Sequence, residues 1–181
     1  METKTLIERC KTRDEDAFRI LVDSYAEFCF SVTFRILNDE DESKDVVQET
    51  FIKIWENISQ LDSEKSFNSL LYKILVNKCY DILRRKKRTA LFYADKIQWK
   101  MPELILENDS AKKLQNQDIA KTIRLLTKKL SPKQKIVFVL SELQGLNHND
   151  ISEITGQNKN MIKSNLNHAR RNIGKMLLKY L

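Results

Sequence analysis

Residues Leu130–Leu177 read LSPKQKIVFVLSELQGLNHNDISEITGQNKNMIKSNLNHARRNIGKML. Ser131 followed by Pro132 is a helix start: the serine hydroxyl can cap, and proline at the first helical position loses no amide hydrogen bond. Ile136, Val137, Leu140 and Leu143 then fall on one side, and Gly145 ends that helix. Asn147 can cap a second helix, His148–Thr155, with Asp150 near its positive end and Ile151 and Ile154 inward. Gly156 permits the left-handed backbone of a tight turn, and Asn158 can cap a third helix. On that helix Ile162, Leu166, Ala169, Ile173 and Leu177 step by four, three, four and four. Lys163, Ser164, Asn167, His168, Arg170 and Arg171 are left for water or DNA. Two short helices around a tight turn, the second one basic, form the pattern of a helix-turn-helix.

A helix of this width fits the major groove, where side chains near its amino end meet base edges. Lys163 can donate to guanine acceptors, and Ser164 and Asn167 can read several edges. Lys159, Asn165, Arg170 and Arg171 are better placed for phosphates, which position a helix without reading sequence. A plain helical hairpin with a solvated outer face has the same spacing, so the motif alone leaves both readings open.

Upstream lies a second helical block. Residues 3–11 suggest a short first helix, and Asp14 caps a second that runs to about Leu37 with Phe18, Leu21, Val22, Tyr25, Phe28 and Cys29 at helical spacing. The acidic stretch 38–42 suggests a turn. A third helix covers about Asp41 to Ile58, and a loop near Ser59–Lys65 leads to a fourth, capped by Ser66, with Phe67, Leu71, Ile74, Leu75, Cys79 and Ile82 inward. On the fourth helix Lys73, Asn77, Tyr80 and Arg84 share one polar face. Cations track phosphates and aromatic rings stack on bases, so this face suits an unpaired strand. The run Arg84-Arg85-Lys86-Lys87-Arg88 extends the charge. On the third helix Asp45, Gln48 and Glu49 make a polar, acidic face, poor for DNA and suited to a basic protein partner. Ordinary wet helices carry such faces too.

Thr89 to Gln117 holds Pro102, scattered apolar residues and many amides and charges, the composition of a linker with partial helix. Leu91, Phe92, Ile97 and Trp99 are its docking candidates. Order returns near Asp118, where Ile119, Ile123 and Leu126 begin a helix ending near Leu130. The expected organisation is all-α, with two small helical domains, 1–88 and 118–181, joined by the polar linker 89–117.

Composition agrees. Three glycines and two prolines in 181 residues leave too few turn formers for a β-sandwich. The net charge of +7 is uneven: −6 over residues 1–60, +4 over 61–120 and +9 over 121–181. An acidic front and a basic back suggest two kinds of partner, with nucleic acid at the back. Cys10, Cys29 and Cys79 are scattered, form no CxxC pair and suit reduced core positions. No secretory leader pattern opens the chain, and no apolar run approaches the roughly 20 residues of a membrane span, so a soluble, cytoplasmic protein without membrane insertion is expected. No Ser/His/Asp set, HExxH, phosphate-binding glycine loop or metal cluster is present, which argues against an enzyme and against a cofactor.

Taken together, the two blocks resemble bacterial sigma factors of the extracytoplasmic-function (ECF) group. The likeness covers about residues 10–88 (sigma domain 2) and 119–178 (sigma domain 4). It rests most on DVVQETFIKIW (Asp45–Trp55), close to the family pattern D-x-V-Q-E-T-F-x-x-x-W, and on LSPKQKIVFVLSELQGLNHNDISEITG. The resemblance implies that Asp45, Gln48, Glu49 and the neighbouring Lys53 bind the β′ clamp helices of the RNA polymerase core. The loop Ser59–Lys65 and the fourth helix, with Lys73, Asn77, Tyr80, Arg84 and Arg85, would capture the non-template strand of the −10 element, Asn77 near a flipped base. Lys159, Lys163, Ser164, Asn167, His168 and Arg171 would bind the −35 element of promoter DNA while domain 4 sits on the β flap. The linker would thread toward the RNA exit channel, and an anti-sigma factor is the expected regulatory partner. Leu70 stands where the family often has Trp, Val76 where Arg is common, Met161 where a small or hydroxyl residue is usual, and Ser152 where Ala is. Asn165 and Asn167 stand at positions often basic or aromatic. A stand-alone helix-turn-helix regulator accounts for the back of the chain but not for the Asp45–Glu49 face or the Lys73–Arg84 stripe.

Overall fold

Side-chain caps set most helix starts. The computed structural model describes residues 2–61, 64–96, 126–127 and 129–178, and within these the side chains of 64–66, 91–96 and 177 are not described. Helix α1 spans Thr3–Lys11 and α2 spans Glu15–Leu37. Asp14 caps α2 by accepting from the Ala17 amide at 2.9 Å. That amide, and next the Arg9 guanidinium 2.7 Å away, hold the Asp14 carboxyl below the usual carboxylate range. Asn38 ends α2 in the left-handed region, φ 57°, which Asn tolerates better than most residues. Helix α3 spans Glu40–Asn57, capped by Asp39 accepting from the Glu42 amide at 3.0 Å. The acidic stretch is therefore only briefly a turn. Glu40, Asp41 and Glu42 fill the first turn of α3, where carboxylates meet the positive end of the helix dipole.

A 3-10 turn, Ile58–Gln60, leads toward α4, Glu64–Lys96. One expectation shifts here. The helix has already begun at Glu64, so Ser66 lies inside it and not at its cap. The helix runs past Arg88 to Lys96, within the segment read as a linker with partial helix. Ile97, Trp99, Ile119 and Ile123 lie outside the described residues.

The carboxy-terminal block follows its sequence signals closely. Helix α5, Pro132–Phe138, opens with a capping box: the Gln134 amide donates to Ser131 Oγ, and the Ser131 amide donates to Gln134 Oε1. It continues into one π turn, Val139–Leu143, closed by the Gln144 amide donating to the Val139 carbonyl at 3.1 Å. Gly145 follows with φ 69°. Helix α6 spans His148–Thr155, and Asn147 accepts from the Asn149 and Asp150 amides. Gly156 turns the chain with φ 67°, and α7 spans Lys159–Leu177 with Asn158 accepting from the Met161 amide at 2.9 Å.

The two blocks share one apolar core. Leu6, Ile7, Leu21, Val32, Ile36, Ile54, Phe67, Leu71 and Leu75 are buried in the front block; Ile136, Val137, Leu140, Ile151, Ile162 and Leu166 continue the same cluster. Tyr25 meets Phe67 edge-on with ring centroids 5.0 Å apart, a favoured aromatic geometry. Helices α5 and α6 pack directly on α4. Polar contacts also cross between the blocks: Arg35 donates to the Leu143 carbonyl at 3.2 Å, and Ser69 Oγ donates to Glu153 at 2.8 Å. The Leu143 carbonyl belongs to the last turn of its helix, where intrahelical amides run out and an outside donor is needed. A smaller cluster of Leu126, Leu130, Ala169 and Ile173 backs α7.

Cys10, Cys29 and Cys79 are buried and free, as core residues. Burial pushes the Cys29 and Cys79 thiols up to about 12. The native protein is thus expected to leave both silent toward a thiol reagent at pH 8, with reaction appearing only on unfolding in denaturant. In the helix-turn-helix, Ile162→Ala is expected to cost about 2–5 kcal/mol, the usual range for emptying a buried aliphatic site. Asn158→Ala, which removes only a cap, is expected to cost about 1 kcal/mol. Urea unfolding followed by circular dichroism separates the two.

Candidate nucleic-acid and partner-docking interfaces

Three surfaces of the described residues carry the sequence-predicted site residues. The first is the outer face of α7. Its inner face is fixed by Ile162, Leu166 and Ala169, all buried, so helical geometry drives the intervening residues outward. Lys159, Lys163, Ser164, Asn167, His168 and Arg171 are all exposed. Lys159, Lys163 and Arg171 enter no ion pair among the described residues, which leaves their charges available. Two neighbours are engaged elsewhere. Arg170 pairs with Glu142 at 2.7 Å, tying α7 to the π turn. Asn165 donates to Gln157 Oε1 at 2.8 Å, and Ser152 Oγ donates to the Gln157 carbonyl at 2.7 Å, so both fasten the turn between α6 and α7. A phosphate at Asn165 or Arg170 would have to compete with Gln157 and Glu142 for these side chains.

The second surface is the outer stripe of α4. Phe67, Leu71, Leu75 and Cys79 anchor the opposite side in the core. Lys73, Asn77, Arg84 and Arg85 are exposed. Tyr80 departs from its expected place: its ring is half-buried and packs against the core, leaving only part of it outward. Val76, beside Asn77, is buried at 2% exposure. Within the basic run, Lys86 turns back to α3, 2.5 Å from Glu42 and 3.6 Å from Asp39. Arg84 lies 3.7 Å from Asp81.

The third surface combines α2 and α3. An open groove of about 1000 Å³ runs between them, walled by Phe18, Val22, Phe30, Val47, Phe51 and Trp55. Glu15, Glu27 and Glu56 stand on its rim together with Arg19 and Lys44, and Ile52, 51% exposed, adds an apolar side chain to its edge. Next to the groove, the Arg13 guanidinium lies 5.0 Å from the Trp55 ring centroid and donates to the Trp55 carbonyl at 2.9 Å. Arg13 adopts φ 63°, an uncommon conformation for a non-glycine residue, held by these contacts. Asp45, Gln48, Glu49 and Lys53 are exposed on α3, but only Gln48 lines the groove. Glu49 faces the other way and pairs with Lys78 on α4; Lys53 pairs with Glu56 at 2.9 Å. The α2 wall escaped the sequence analysis, since Phe18 and Val22 read equally well as core.

Among the described residues no three His, Cys, Asp or Glu side chains come together to hold a metal. No described helix is long and apolar enough to cross a membrane.

Comparison with known proteins matches both blocks. Residues 21–89 match the family described as Sigma-70 region 2, and residues 120–173 match Sigma-70, region 4. The ECF RNA polymerase sigma factor SigW of Bacillus subtilis (strain 168) is 28% identical over 185 residues, covering 98% of this chain and 97% of that protein. In structure, the chain is similar to CnrH in complex with the cytosolic domain of CnrY, with a TM-score of 0.67, 18% identity and coverage of 96% of this chain and 95% of that one. It is also similar to the sigma factor RpoE in complex with the anti-sigma factor NepR from Bartonella quintana: TM-score 0.62, 21% identity, 88% of this chain and 96% of that one. At these identities the two structures establish a shared fold.

Proposed function

Because the chain belongs to the sigma-70 family, in its extracytoplasmic-function group, we infer that it binds core RNA polymerase and directs transcription initiation at specific promoters. The observation that carries the site assignment is the co-occurrence, in one chain, of two exposed basic stripes on different helices and an apolar groove with charged side chains on its rim. A stand-alone regulator has use for one stripe and none for the groove.

The groove between α2 and α3 takes the β′ clamp helices. Its aromatic and aliphatic walls supply the apolar contact, Gln48 and Ile52 meet the partner at its edge, and Asp45, Glu49 and Lys53 set the charge alongside. The stripe of Lys73, Asn77, Tyr80, Arg84 and Arg85 takes the non-template strand of the −10 element. The cations track phosphates, Asn77 offers an amide to a displaced base, and the outward part of Tyr80 offers a stacking edge. On α7, Lys159, His168 and Arg171 hold the backbone of the −35 duplex, while Lys163, Ser164 and Asn167 face base edges. Residues 1–88 and 118–181 serve as the two gripping units and 89–117 spans the distance between them, with the second unit seated on the β flap. The protein catalyses nothing itself; the chemistry of RNA synthesis is the polymerase's. It works in the cytoplasm, where polymerase and promoters are. An anti-sigma factor is its regulatory partner, as for the RpoE–NepR pair of similar fold, and the apolar groove is the surface such a partner covers.

Run-off transcription with sigma-free core polymerase and fragmented genomic DNA tests the function: start sites sharing two upstream elements are expected, and no polymerase association would sink it. Ile52→Asp and Glu49→Lys are expected to weaken polymerase binding, the first by about tenfold, the size of a typical anchor residue. Lys163→Ala is expected to cost about 1–3 kcal/mol in binding of −35-dependent promoters. Polymerase affinity should stay unchanged in that variant, as measured by titrating labelled protein with core.

A further inference from the structure

We propose that Lys78 is a promoter contact held in reserve: Glu49 pins its ammonium in the free protein, and polymerase releases it to the strand backbone by taking Glu49. The proposal rests on the function above, in which polymerase meets α3 and the −10 strand meets α4. Glu49 and Lys78 are ion-paired across α3 and α4. Both remain open to water, with side-chain exposures of 59% and 28%, so an incoming partner can reach the carboxylate. Lys78 directly follows Asn77. It also sits seven residues before Arg85, two helical turns along the same edge of the stripe. Its four-carbon stem pivots freely and ends in three donors.

The exchange follows from the weakness of the pair. An exposed ion pair between side chains is readily broken. A cation delivered by the polymerase, above all an arginine that forks onto both carboxylate oxygens, outcompetes a single ammonium. Lys78 then loses its counter-charge. The nearest acid on its own helix, Asp81, already faces Arg84 at 3.7 Å. A phosphate beside Asn77 then offers it a new anion, in competition with the exposed Asp45 one turn before Glu49 on α3. One carboxylate thus couples the two partners: the free protein holds single strands poorly, and the assembled one gains a cation at the −10 strand.

A double-mutant cycle tests this with the full-length chain and a fluorescein-labelled dT12 oligonucleotide at low salt, followed by anisotropy. Glu49→Gln should free Lys78 and tighten dT12 binding by about threefold or more, the effect of one added phosphate contact at low salt. In a Lys78→Gln background the same change should do nothing, and in a Lys78→Arg background the gain should persist. A gain that survives Lys78→Gln would show only the removal of a negative charge, and would overturn the proposal, as would no gain at all. Reconstituted with core polymerase, Lys78→Gln should lower the slope of log affinity against log salt by about 0.7, one single-strand phosphate. An unchanged slope would equally overturn it. Wild-type run-off transcription separates the layers. If it fails, the sigma function fails; if it succeeds and the cycle is flat, only the Lys78 exchange fails.

Discussion

Burial of Phe67, Leu71, Leu75 and Cys79 along one side of α4 is the constraint on which the other elements depend. At roughly 1.5 Å per residue, a 33-residue helix is about 50 Å long. It is long enough to serve as a wall for both blocks. Its buried side closes the core of α1, α2 and α3. Another part of its surface receives α5 and α6, with Ser69 bonded to Glu153. What remains of its circumference, including Lys73, Asn77, Arg84 and Arg85, faces outward and can meet a ligand. The narrowness of the stripe is thus a product of packing on two sides. Burial of Val76, where related chains often carry Arg, fits this division: a cation there would have to be desolvated against α4's neighbours.

Electrostatics divides the molecule in a second way. On α3 and α4 most charges find partners: Lys44 with Glu40, Lys53 with Glu56, Lys78 with Glu49, Lys86 with Asp39 and Glu42. Each such exposed pair contributes little to stability, about 0–1 kcal/mol. Their value lies in how easily they rearrange when a stronger partner arrives. On α7 the opposite holds, with Lys159, Lys163 and Arg171 outside any ion pair among the described residues. A duplex meets those cations without first displacing a carboxylate. The front of the protein therefore exchanges internal pairs for external ones, while the back adds charge contacts outright.

Local rules were legible in the sequence. Asp14, Ser131-Pro132, Asn147 and Asn158 each fix a helix start through a side chain within three residues of the amide it caps, and Gly156 marks its own turn. The family motifs were legible for the same reason, being short and contiguous. Ser66 misled because a good cap residue does not end a helix that neighbouring residues already favour. What escaped was long-range. The α2 wall of the groove, the half-burial of Tyr80, and the pairing of Glu49 with Lys78 depend on helices brought together from distant parts of the chain. So does the docking of α5 and α6 on α4, through Arg35 and the Leu143 carbonyl as well as the shared apolar cluster. Helical periodicity gives the faces of each element but not which face meets which.

The π turn at Val139–Leu143 has a consequence for how the chain can change in evolution. A π turn is one residue more than an α-helix needs for the same rise. The wider turn absorbs that residue, so deleting it would restore ordinary winding and leave everything beyond it in nearly the same direction. The same deletion in the ordinary winding of α5 would rotate everything beyond it by about 100°. α7 would then present a different edge to the groove of a duplex. A change of length by one residue is therefore expected to persist among descendants of the chain at Val139–Leu143, and to be purged from Pro132–Phe138.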